Sequence, residues 1–78
     1  MRLAELIKEL EDRAGDFAEQ VNEFTALANR TQDRDARLVF RRMATESEAR
    51  QEELQYVIDR LRQIQLWPRI CAVLRWHQ

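Results

Sequence analysis

Apolar side chains recur along the first thirty residues in alternating steps of four and three: Leu3, Ile7, Leu10, Ala14, Phe17, Val21, Phe24 and Ala28. That period places them on one stripe of an α-helix, and nearly four heptads of it suit helices packed at a shallow angle. Leu6, Ala18 and Leu27 widen the stripe, which favours a bundle over a two-stranded coil. Gly15 costs about 1 kcal/mol relative to Ala, which a long helix absorbs, and it would admit the close approach of another backbone.

A second stripe reads Ala36, Phe40, Met43, Ser47, Arg50, Leu54, Val57, Leu61 and Ile64. Between the stripes, Asn29-Arg30 closes the first helix and Thr31-Gln32-Asp33 forms the turn. Thr31 or Asp33 supplies the next N-cap, and Asp35 adds negative charge to the first turn. The pattern therefore predicts helices over about residues 3–29 and 34–65, joined so briefly that they run antiparallel. Folding about residue 32 sets Phe17 against Ser47, Ala14 against Arg50, Leu10 against Leu54, Ile7 against Val57 and Leu3 against Leu61. Large opposes small at the first two of these pairs, as close packing requires. Leu6, Leu27, Val39, Ala44 and Ile58 lie off the stripes and need cover as well. The expected architecture is all-α: a long antiparallel helical hairpin over residues 1–66 that completes a four-helix bundle by association.

Residues 67–78 differ in kind. Pro68 lacks an amide donor, so it is expected to end the second helix and open a short third one. Trp67, Arg69, Ile70, Val73, Leu74 and Trp76 are the candidate partner-binding residues, being of types that dominate interface hot spots or apolar all round. Two roles stay open for this segment, a lid across the end of the bundle or a docking peg for another protein. Its shortness and lack of a basic cluster argue against a membrane surface.

Composition narrows the classes. A net charge of −1 gives no global field for nucleic acid or anionic lipid. Residues 1–30 sum to −3, residues 31–64 to 0, and the tail adds Arg69 and Arg75, so the first helix and the tail could complement each other or a partner. Arg34, Arg37, Arg41 and Arg42 form a basic stripe near the turn, too slight without a reading element to predict nucleic-acid binding. Cys71 is the single cysteine, which excludes an intrachain disulfide and suggests a reducing, cytoplasmic setting. The charged N-terminal run lacks a signal-peptide core, and no apolar run approaches the ~20 residues of a membrane span. The one histidine, His77, is penultimate, and no Ser or Cys is spaced with a base for nucleophilic catalysis.

The run from Phe24-Thr25-Ala26-Leu27-Ala28 through Phe40 to Glu46-Ser47-Glu48-Ala49-Arg50 resembles the rubrerythrin and ferritin-like pattern. There an aromatic and a Leu-Ala pair close one helix, and a Phe precedes Glu-x-x-His on the next. The similarity covers roughly residues 14–62 and implies a ferritin-like bundle. The family's ligand positions fall on Phe17, Ser47 and Arg50. Phe offers no donor, Ser is a poor ligand, and Arg is a permanent cation. The resemblance thus implies a relative that has lost its di-iron site, with no cofactor.

An alternative metal site would use Glu19, Glu23, Glu46 and Glu53 from two copies at an interface. Glu-rich helix faces are more simply solvated, with i,i+4 partners such as Glu9 with Arg13 or Glu46 with Arg50. Arg50 itself is expected to lay its stem over Ala14 and reach Glu46, Glu53 or Asp16, or else to bind an anionic group. The resulting expectation is a non-catalytic structural or interaction module. It would be an accessory subunit of a larger protein or a homodimeric bundle, with an iron-binding protein using carboxylates as the alternative.

Overall fold

Twenty-eight residues with one apolar stripe form α1, Leu3–Arg30, and forty-three form α2, Arg34–Trp76. The structure, a computed structural model, describes residues 1–76; His77 and Gln78, including the only histidine, lie outside the described residues. All regular structure in the described residues is helical.

The turn is built as its residue types dictate. Arg30 is followed by extended Thr31, whose amide donates to the Leu27 carbonyl at 3.0 Å and closes α1. Of the two candidate caps for α2, Asp33 takes the role: its Oδ1 accepts from the Ala36 amide at 2.9 Å. The Thr31 hydroxyl oxygen accepts from the Asp33 amide at 3.3 Å, and Arg37 donates to the Thr31 carbonyl. Removing this cap in Asp33→Ala should lower stability by about 1 kcal/mol in a urea melt, and no change would mean that solvent satisfies the amide equally well.

After the turn α2 returns along α1. Arg62 meets Glu11 at 2.8 Å, Ser47 meets Gln20 at 3.2 Å, and Ile7, Ala14 and Ile58 form one buried cluster flanked by Leu3, Leu10, Leu54 and Leu61. On α1 the inward face is the expected one, with Ile7, Ala14 and Ala28 buried and the other members of the stripe half-buried. Nothing approaches the position a Gly15 Cβ would take, so that glycine serves no close backbone contact.

On α2 the inward face differs from the sequence stripe. Phe40, Ser47, Leu54 and Leu61 do face α1, but between them sit Ala44, Gln51 and Ile58, while Met43, Arg50 and Val57 are exposed. A step of four instead of three rotates the helix about its axis. The rotation buries Ile58 completely and keeps the Arg50 guanidinium hydrated, where burial without a partner would cost several kcal/mol. Arg50 therefore does not cover Ala14, and Val57 does not cover Ile7.

The expected break at Pro68 is also absent: α2 passes through Pro68 and reaches Trp76, so residues 67–76 continue the second helix instead of forming a third. An internal proline forfeits the hydrogen bond to the carbonyl four residues back and costs about 3 kcal/mol. Here that carbonyl belongs to Ile64, itself exposed, where solvent can satisfy it and a bend would disturb no packing against α1. The segment does not turn back over the end of the helix pair.

The result is long and thin, 67 × 23 × 13 Å with a radius of gyration of 18.9 Å, against about 11.5 Å for a compact chain of this length. Its surface is 6767 Å², where a globular protein of this mass exposes about 5,000 Å². Among the described residues only Ile7, Ala14, Ala28 and Ile58 are buried apolar residues, and two of those are alanines.

Candidate interaction surface

α1 begins beside Leu61, so the last fifteen described residues of α2 project beyond it. From Arg62 to Trp76 every side chain is exposed except half-buried Cys71. At 100° per residue, Ile64, Trp67, Cys71 and Leu74 fall on one stripe, and their exposures of 59%, 62% and 58% for the three large members show it uncovered. Leu66, Arg69, Ile70, Val73 and Leu74 line an adjoining shallow hollow.

All six partner-binding candidates lie on this overhang and are exposed. Arg69, Ile70, Val73 and Leu74 share the hollow, and Trp67 joins Leu74 on the neighbouring stripe. Trp76, nine residues from Trp67, lies on the opposite side of the helix. Sequence reasoning left out Ile64, Leu66 and Cys71. The three-four-three spacing of Ile64, Trp67, Cys71 and Leu74 was the available signal, hidden by treating Pro68 as a boundary.

The second candidate region is the flank between the helices. Phe17 and Arg50 line one groove there with Arg13, Asp16, Gln20, Glu53, Leu54 and Val57. Ser47 is buried, and its hydroxyl lies 3.2 Å from Gln20 Oε1, toward which it donates. The expected facing partner of Ser47 was Phe17; Gln20, one turn along the same face, makes the hydrogen bond, and Phe17 is half-buried. A buried hydroxyl needs such a partner, and the pair leaves no unsatisfied buried side-chain atom among the described residues.

The four alternative carboxylates, Glu19, Glu23, Glu46 and Glu53, are all exposed. Glu23 and Glu46 border one hollow with Ser47 and Arg50, whereas Glu53 borders the groove beside Arg13. No three His, Cys, Asp or Glu side chains among the described residues are grouped as a metal site within one chain. Glu9 pairs with Arg13 at 3.2 Å as expected, but Glu46 pairs with Arg42 at 3.6 Å and not with Arg50. Among the described residues no carboxylate lies within 4.0 Å of the Arg50 guanidinium. In the basic stripe, Arg37 and Arg42 are engaged within the chain. No described helix is long and apolar enough to cross a membrane. Compared with protein-family models, with curated proteins and with solved structures, the chain matches none.

Proposed function

We propose that this chain is a non-catalytic assembly module: two long helices that complete a four-helix bundle by association, with a second copy or with a larger protein subunit, in a cytoplasmic setting. The observation that carries the reading is the bare apolar overhang on a chain whose surface exceeds that of a globular protein of its mass by about a third. A core of four residues is too small to explain so many exposed aliphatic and aromatic side chains as incidental.

The same proposal keeps the ferritin-like relation. Phe17 and Arg50 supply no metal-binding atom, and the Ser47 hydroxyl beside the Gln20 amide occupies the space between the helices. Hydrogen bonding and packing thus stand where coordination would be needed.

Native mass spectrometry of the chain taken from its source cells, with metal analysis of the same sample, tests the reading. Copies of the chain or a protein companion are expected, without a transition metal. A lone folded monomer would overturn the assembly role, and stoichiometric iron would overturn the non-metal one.

A further inference from the structure

We propose that the overhang of α2 is covered by the overhang of a second copy of this chain, running antiparallel to it about a two-fold axis beside Arg69. The inference rests on the assembly role proposed above and names the partner, joining the two copies end to end through their overhangs and leaving the long sides of the two helix pairs to the bundle contact.

The spacing of the exposed stripe is the first argument. Ile64, Trp67, Cys71 and Leu74 are separated by three, four and three residues, a pattern unchanged by reversal about position 69. A two-fold contact requires such self-complementarity, because the same patch must serve both sides. In this register Trp67 of each copy faces Cys71 of the other, large against small, and Ile64 faces Leu74. Ile70 approaches its counterpart across the axis. Arg69 lies on the far side of the helix, half a turn from the stripe, so no like charges meet at the centre.

Length is the second argument. With position 69 at the axis, Trp76 of one copy reaches Arg62 of the other, next to Leu61, where α1 begins to cover α2. The second overhang therefore fills the uncovered length and stops where α1 starts.

Area is the third. The chain exposes about 1,700 Å² more than a globular protein of its mass, and a standard interface takes about 800 Å² from each partner. That surplus is spread over the whole chain, but seven of the thirteen exposed large apolar residues among those described lie on the overhang.

The test uses the full chain in two stages. Sedimentation equilibrium of the unaltered protein should give a dimer, and a mild oxidant should leave it without a disulfide. Antiparallel pairing offsets the two Cys71 residues by four positions, about 6 Å along the axis, and with the added sideways separation of two helices whose axes lie about 8–10 Å apart their Cα atoms stand beyond the ~7 Å that a disulfide tolerates. Ile64→Cys and Leu74→Cys are then introduced together on a Cys71→Ala background. This double variant should become mostly covalent dimer on oxidation, while either single variant stays uncross-linked. The two new thiols within one chain are too far apart along the helix to join each other.

A monomer, a cross-link through Cys71 or through either single variant, or a dimer that the double variant fails to cross-link would each overturn the proposal. A monomer in isolation that is found with a different protein in the source cell overturns this inference alone and leaves the assembly role standing. A monomer without any companion removes both.

Discussion

Ile58→Ala should remove about 2–5 kcal/mol of stability, the loss expected when a large aliphatic side chain leaves a cavity that cannot close. Ile58 is fully buried, at 0% exposure, and no other large side chain among the described residues is so completely enclosed. It sits against Ile7 and Ala14 and is flanked by four leucines. A domain of this length holds on the order of 4–12 kcal/mol in total, so the variant should lose a large share of its stability and melt at a much lower temperature. Thermal and urea melts followed by circular dichroism measure the effect. The neighbouring substitution Val57→Ala is the control: Val57 is 42% exposed and should cost less than about 1 kcal/mol. Equal losses at the two positions, or a larger one at Val57, would show that the three-residue step of the sequence stripe, and not the four-residue step, faces α1.

Deleting residues 67–78 should convert an assembled protein into a monomer while leaving the mean helicity of the remaining chain nearly unchanged. Packing of α2 on α1 ends at Leu3 and Leu61, so the deletion removes no side chain of the buried cluster. It does remove Trp67, Ile70, Val73, Leu74 and Trp76, five of the seven exposed large apolar residues of the overhang. Sedimentation and far-ultraviolet circular dichroism on the same samples separate the outcomes. An unchanged association state with a lowered melting temperature would assign the segment the role of a lid on its own chain.

Two of the corrections to the sequence reading, the face of α2 and the continuation through Pro68, share a physical origin. Helical period was readable at every point, because alternating three- and four-residue steps are a property of the local chain. Choosing between Met43-Arg50-Val57 and Ala44-Gln51-Ile58 was not, since both sets flank the same Phe40-Ser47-Leu54-Leu61 line. That choice compares the burial of Ile58 with the desolvation of Arg50, and the comparison exists only once α1 is in place. Pro68 is similar. Its intrinsic preference is to end a helix, and the penalty is tolerated where the freed carbonyl faces solvent and no neighbouring element is displaced.

The candidate surface was half legible for the same reason. Trp67, Ile70 and Leu74 stand out by residue type, yet their grouping with Ile64 and Cys71 depends on an unbroken helix. Ser47 was rightly expected at the helix interface, but its bond to Gln20 required the relative rotation of the two helices.

By itself the sequence determined two long helices, the turn at residues 31–33 with an aspartate available to cap it, and the inward stripe of α1. These follow from dihedral preferences, capping chemistry and helical period, all of which act within a few residues. Tertiary structure decided which side of α2 meets α1, that Arg50 stays in water, and that the last fifteen described residues extend unpaired beyond α1. Those outcomes depend on desolvation and packing summed over residues distant in the chain, and no local pattern carries that sum.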